Sequence, residues 1–205
     1  FSVPDVPEEE WSASLKAAIG LEPQHISTYG LTIEEGTLFH SRAKDGRLVA
    51  LSEDADARQY RQAIDMLEDA GYAQYEVSNF SRQGYHSRHN WGYWTGEEYR
   101  GVGLSAHSYA DDVRSWNLKD LGEYLERVES GQSPRAGEEQ IDSSTARREA
   151  VWLGLRTCRG IELSEDEELG LMEQARFRAI LEDALMEESG GRLTITRVGF
   201  PIADA

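Results

Sequence analysis

Pro7-Glu8-Glu9-Glu10-Trp11-Ser12-Ala13-Ser14-Leu15-Lys16-Ala17-Ala18-Ile19-Gly20 and, past Pro23, His25-Ile26-Ser27-Thr28-Tyr29-Gly30-Leu31-Thr32-Ile33 set the fold class. The first run has helical spacing: Trp11, Leu15, Ala18 and Ile19 form one apolar stripe, Pro7 suits a first turn, Glu8, Glu9 and Glu10 complement the dipole, and Gly20 closes it. Asp5 or a neighbour is available as the cap. The second run alternates Tyr29, Leu31 and Ile33, which predicts a strand over 25–33 turned by Glu35-Gly36. Residues 1–3 read as the end of an earlier strand. A helix leading into a strand without a hairpin points to parallel β/α construction and an α/β fold class.

Outward from this unit, Ser52 caps a second helix whose Tyr60, Ala63, Ile64 and Leu67 recur at a 3.6 period, and Gly71 ends it. Residues 72–77 read as another strand. Over 78–117 the periodicity fails, and His86, His89, His107, Trp91, Trp94 and Trp116 gather there. Beyond Asn117, Leu118, Leu121, Leu125 and Val128 share a helical face, and Ser133-Pro134 makes a joint. The expected domains are therefore 1–117 and a small, mainly helical 118–205. In the latter a helix is expected over about 143–156, a capping box at Ser164 and Glu167, a helix striped by Phe177, Ile180, Leu181, Ala184 and Leu185, and a strand with Leu193 and Ile195. Helices followed by a short β segment suit a winged-helix-like module, but the acidic run Glu162, Glu165, Asp166, Glu167 and Glu168 fits DNA poorly and reads as a solvated helix start.

The chain has 205 residues, with 21 Lys+Arg against 38 Asp+Glu and a net charge of −17, which opposes general attraction to nucleic-acid phosphates or anionic membranes. No run approaches the ~18 apolar residues of a spanning helix, so the chain reads as soluble and cytoplasmic. Cys158 alone forms no internal disulfide and holds neither an iron–sulfur cluster nor a structural zinc.

Ser87-Arg88-His89-Asn90-Trp91-Gly92-Tyr93-Trp94 is the densest constellation. An imidazole beside large aromatic faces offers one metal-ligating nitrogen and a flat apolar surface, as an iron porphyrin requires, and Arg82, Arg88 and Arg100 are available for propionates. The same residues suit an aromatic cluster filling a gap, with His89 hydrogen-bonded to backbone. The charges over 78–117 cancel, Arg82, Arg88, Arg100 and Arg114 against Glu97, Glu98, Asp111 and Asp112, so an anionic porphyrin is repelled least here. Gly101-Val102-Gly103-Leu104-Ser105-Ala106-His107-Ser108 fits either a tight strand packed on a neighbour or a ligand contact, and it lacks the third glycine of a dinucleotide fingerprint. Glu34-Glu35-Gly36-Thr37 reads as a capped turn before it reads as a carboxylate pair. His86 and His89 have no third ligand spaced for zinc, and Gly84 argues against a helix joining them. Arg156 and Arg159 favour a Cys158 thiolate, while the end of the expected helix opposes it.

His25-Ile26-Ser27-Thr28-Tyr29-Gly30-Leu31-Thr32-Ile33-Glu34-Glu35-Gly36-Thr37, Tyr75-Glu76-Val77-Ser78-Asn79-Phe80, the 87–94 segment and the 101–108 segment together resemble radical SAM proteins, more narrowly the HemW-type heme chaperones, also described as oxygen-independent coproporphyrinogen III oxidase-like proteins. The similarity runs in register over nearly the whole chain and weakens after about Cys158. It implies the C-terminal part of a partial TIM-type barrel, entered at the family's fifth strand, followed by the small helical domain. It also implies S-adenosylmethionine and a [4Fe-4S] cluster at the strand ends, the cluster held by a CxxxCxxC motif that this sequence lacks. Where the family has Gly-Leu-Pro-Gly-Gln, this chain has Ser2-Val3-Pro4-Asp5-Val6, so side chains stand where flexible glycines are expected. A barrel cut at this strand is expected to leave Trp11, Leu15 and Ile19 without inner partners.

His89-Asn90-Trp91-Gly92-Tyr93-Trp94 matches the family's HNxxYW pattern in full, which by resemblance makes His89 the ligand of heme iron with Asn90, Tyr93, Trp94 and Arg88 around the macrocycle. His107 falls where the related oxidase has a residue near S-adenosylmethionine. The function expected is that of a heme chaperone passing heme to acceptor proteins, membrane-associated ones included. The alternatives are a radical SAM oxidase that decarboxylates coproporphyrinogen III, and a protein-binding fragment without a cofactor. A homodimer stays open.

Overall fold

The computed structural model describes residues 1–203. In chain order its elements are α1 (Glu8–Gly20), β1 (His25–Ser27), α2 (Leu38–Lys44), α3 (Glu53–Asp69), β2 (Ala73–Glu76), β3 (Asn79–Ser81), α4 (Arg88–Trp94), β4 (His107–Ala110), β5 (Val113–Asn117), α5 (Leu121–Glu129) and β6 (Arg135–Gln140). They continue with α6 (Ser143–Gly154), β7 (Ile161–Glu162), α7 (Glu165–Met172), α8 (Ala175–Glu182), β8 (Met186–Ser189), β9 (Arg192–Ile195) and a 3₁₀ turn (Phe200–Ile202). Two compact units result: Phe1–Ser87 with Leu155–Ala205, and Arg88–Gly154. The boundary expected after Asn117 lies inside the second unit, because the polar segment Arg135-Ala136-Gly137-Glu138-Glu139-Gln140 forms a strand on β5. Backbone pairing holds that strand, and it leaves no apolar alternation to read.

In the first unit, α3 follows its sequence. Ser52 accepts the Ala55 N–H, Tyr60, Ala63, Ile64 and Leu67 are buried, and Gly71 takes φ +83° just past the C-terminus. Tyr60, Ile64 and Leu67 meet Ile26, Tyr72, Phe80 and Phe200 in one core. The α1 face expected to lack partners has them: Leu15 is buried, Ile19 packs on this core, and the Trp11 indole donates to the Gln59 carbonyl at 3.2 Å. Nor does Asp5 cap α1, whose N-terminus is entered through Pro7 without a side-chain cap.

The expected strand over 25–33 is shorter, ending at Ser27, and β1, β3 and β2 form an antiparallel sheet in that order. Among the described residues, parallel pairing is seen between Phe1 and residues 29–31. The Phe1 nitrogen donates to the Tyr29 carbonyl at 2.9 Å and the Phe1 carbonyl accepts from Leu31 at 3.0 Å, the alternation of parallel strands around Gly30. Glycine lets the two segments approach closely, since a Cβ there would sit 3.2 Å from the Phe1 ring. Ser2 and Asp5, the two residues replacing expected glycines, have φ +59° and +62°. The left-handed backbone is thus kept at a cost of about 1 kcal/mol per residue. Ser2 is held there by its N–H donating to the Gln59 side chain at 2.8 Å and by its hydroxyl donating to Asp56.

Residues after 155 are less helical than expected. α7, with its Ser164–Glu167 capping box, and α8 accompany an antiparallel sheet in the order β7, β9, β8, in which Gly190 and Gly191 at φ +62° and +76° turn the β8–β9 hairpin. In the second unit, β4, β5 and β6 form an antiparallel sheet with Arg114 opposite Glu139 and Trp116 opposite Gly137. The missing side chain at Gly137 makes room for the indole, since a Cβ would lie 2.6 Å from it.

Candidate functional site

The 88–94 segment is a helix, α4, although its sequence shows no apolar period. Helical spacing sorts the motif into two pairs four residues apart, His89 with Tyr93 and Asn90 with Trp94. The His89 ring is exposed and meets the Tyr93 ring edge-on at 4.9 Å; Tyr93 in turn meets Tyr99 edge-on at 4.6 Å, and Tyr99 lies 6.4 Å from Tyr109 on β4. An aromatic file therefore runs from the imidazole to the sheet. Gly92 is buried with the Glu97 carboxylate 3.1 Å from where a Cβ would stand, and the Glu97 N–H donates to the Gly92 carbonyl at 2.8 Å, turning the chain back after α4.

Beside this file is a cleft of about 560 Å³ lined by Tyr93, Tyr99, Tyr109, Arg114 and, from α6, Glu149 and Trp152 among others. Trp152 is 58% exposed. Arg114 donates to Glu139 at 2.8 Å and to Glu149 at 2.5 Å, tying α6 to the sheet, and the Glu149 hydrogen bond raises its pKa further. The Tyr109 phenol is likewise held above its ordinary range, by desolvation and then by Asp112 and Glu149. Tyr99, Tyr109, Arg114, Glu149 and Trp152 escape sequence reading because they come from three separate stretches. The gathering of histidine and tryptophan over 78–117 pointed to the segment that holds Tyr99, Tyr109 and Arg114, and to neither Glu149 nor Trp152.

Of the other residues singled out, Arg88 is exposed on α4 beside His89, and Trp94 ends that helix half-buried. His107 is on β4 opposite Trp116, its ring 6.0 Å from the indole, on the same sheet face as Tyr109. Arg100 lines a separate hollow with Ser108, Ser115 and Glu138, on the other face by the strand alternation. Arg82 belongs to the first unit, over the Tyr72 ring at 4.7 Å. There too His86 stacks on Tyr75 at 4.4 Å, so the two histidines near 87 fall in different units. Within 101–108 the two ends meet: a Cβ at Gly101 would collide with the His107 carbonyl, and the Gly101 N–H donates to Ser108 at 2.9 Å. Glu34 and Thr37 form the capped turn, Thr37 accepting the His40 N–H at 3.1 Å.

The 25–37 and 75–80 segments meet in the first unit around a carboxyl. Glu76 is fully buried, accepts from the Ser78 N–H at 2.9 Å and from Asn79, and Asn79 accepts from Ser27. Burial pushes its pKa up to about 7, against the opposing Ser78 hydrogen bond. These segments build the sheet. Cys158 is surface-accessible, yet desolvation raises its thiol pKa despite Arg159, so the expected thiolate assistance does not prevail.

No family model matches the chain. It is 36% identical over 205 residues to the heme chaperone HemW of Mycobacterium tuberculosis, covering 100% of this chain and 52% of that protein. The chain is a relative of the HemW proteins. It is 28% identical over 204 residues to HemW of Bacillus subtilis, and 39% identical over 107 residues to a mitochondrial radical S-adenosyl methionine domain-containing protein of Danio rerio, covering 97% and 52% of this chain and 54% and 24% of those proteins. The chain spans about half the length of the HemW proteins it matches, their C-terminal half. Its fold matches that of Escherichia coli coproporphyrinogen III oxidase, HemN, a radical SAM enzyme, with a TM-score of 0.75 at 18% identity over 99% of this chain and 51% of that one. The α/β fold class read from the sequence is present, and the fold matches that of about half of this radical SAM enzyme.

A [4Fe-4S] cluster does not fit the residues present. Cys158 is the single thiol, its proton is held more tightly than usual, and no group of three or more potential ligands occurs among the described residues. In the 101–108 segment the place of a Cβ at Gly101 is taken by the His107 carbonyl, whereas Gly103, at φ +106°, faces open space.

Proposed function

We propose that this chain is the heme-handling part of a cytoplasmic HemW-type chaperone, which takes heme as cargo through His89 and passes it to acceptor proteins, membrane-associated ones included. The observation that carries the reading is the exposed His89 imidazole, standing on α4 within a complete HNxxYW pattern and braced edge-on by Tyr93. One nitrogen of an imidazole coordinates iron while the ring's contacts set its orientation. With Tyr93 against its ring and an aromatic cleft beside it, His89 is oriented and still open to a large planar ligand. Openness suits a carrier, because cargo held on an exposed ligand can be handed on. Arg88, next in sequence and exposed, is suited to a propionate. The names of the HemW relatives support the chaperone reading over an oxidase, for which HemN offers likeness of fold.

Titration of the 205-residue chain with hemin, followed in the Soret region, tests the assignment. His89→Ala is expected to abolish the axial-ligand spectrum, whereas His86→Ala, stacked on Tyr75 in the other unit, keeps it. An unaltered spectrum in His89→Ala would overturn the reading.

A further inference from the structure

The cleft beside His89 has walls of one character and charges of another. Tyr93, Tyr99, Tyr109 and the exposed Trp152 present aromatic faces, while the carboxylates of Glu97 and Glu149 line the same hollow. Arg114, the cation among the residues lining it, already donates to Glu149 at 2.5 Å and to Glu139 at 2.8 Å. A carboxylate brought inside would lose hydration, face Glu97 and Glu149, and have to break the Arg114 pairs to gain a partner. An apolar group brought inside meets ring faces and no such penalty.

A heme has two unlike edges, one bearing two propionates and the other vinyl and methyl groups. Resting on the heme reading above, we propose that the porphyrin enters this cleft by its apolar edge, between Trp152 and the tyrosine file, with its propionate edge left outside. Trp152, Tyr99 and Tyr109 are then specificity residues for the cargo, and the cleft selects porphyrins with one uncharged edge. His89 touches Tyr93 one helical turn away on α4, so ligation and edge insertion draw on the same wall. The fixed negative field inside the cleft sets the orientation; outside it, Arg88 and water receive the propionates.

The two iron porphyrins that test this are iron protoporphyrin IX and iron coproporphyrin III, which carries propionates on both edges. In parallel Soret titrations of the 205-residue chain, iron coproporphyrin III is expected to bind at least tenfold more weakly. Trp152→Ala removes an exposed ring, so circular dichroism should stay unchanged, and it is expected to weaken iron protoporphyrin IX at least fivefold while the His89-ligated spectrum persists. Glu149→Gln, which lowers the negative charge, should narrow the difference between the two porphyrins. Equal affinities for the two, or full affinity in Trp152→Ala, with His89 ligation intact, overturn edge insertion and leave the heme reading standing. Loss of dependence on His89 overturns both.

Discussion

The two units differ in where their apolar side chains go. The first packs Ile26, Tyr60, Ile64, Leu67, Tyr72, Phe80 and Phe200 into a common core, whereas the second leaves Tyr93, Val102, Leu121, Leu125 and Trp152 at the surface and buries Ile141. The first is held by core burial, the second by a backbone ladder and the Arg114 ion pairs. The lesson is one of division: the HNxxYW residues and the aromatic cleft belong to the unit with little core of its own. Aromatic rings committed to a core cannot also receive a planar ligand.

Truncating a core side chain tests the contrast most sharply. Ile64→Ala, at a fully buried position on α3, is expected to cost about 3 kcal/mol in urea unfolding, while Val102→Ala, at a residue 92% exposed in the second unit, should change stability by no more than about 0.5 kcal/mol. Comparable losses at both would show that the second unit has a core of the same kind.

Next in size is the pH dependence of the first unit. Glu76 has a folded pKa raised to about 7 from 4.5. As pH rises the unfolded chain releases this proton first and the native state keeps it, so stability falls from about pH 4.5 to about pH 7, by up to about 3 kcal/mol. Below that window the contribution of the protonated carboxyl is fully present. Denaturant midpoints at pH 5 and pH 8 should show the fall in the wild type and a flatter profile in Glu76→Gln; parallel profiles would refute it.

Arg114→Met addresses the second unit's own support. With the guanidinium gone, Glu139 and Glu149 lose their shared partner, and a loss of about 1 kcal/mol is expected, smaller at high salt because these groups are partly exposed. Hydrogen exchange confined to 88–154 would locate the loss, whereas a uniform change along the chain would mean that the pairs support both units. The smallest effect concerns the backbone at the N-terminal turn. Asp5→Gly relieves a φ of +62° but gives the unfolded chain more freedom, so a net gain of about 0.5 kcal/mol is expected, with Asp5→Ala moving the other way. A gain in Asp5→Ala would show that the turn opens rather than holding its strain.

Local chemistry was legible wherever one helix carried its own pattern. The Ser52 cap, the Tyr60 to Leu67 stripe and the Ser164–Glu167 capping box could all be read from spacing, because each rests on contacts a few residues apart. The motif around His89 was also legible, as residue types in order. Its helix was not, since seven residues with Gly92 inside carry no period, and β6 was hidden because a polar strand is specified by the neighbour it pairs with.

What the sequence determined by itself is therefore the chemical inventory: an α/β chain of net charge −17, a single cysteine and a histidine among aromatics. Only the tertiary structure decided that Tyr93, Tyr99, Tyr109 and Trp152 line one cleft, that Arg114 is already engaged there, and that Arg100 faces another hollow. The physical reason is separation along the chain. Residues brought together by strand register and by a helix returning from Ser143 share no period, so their common field and surface exist only once the backbone is paired.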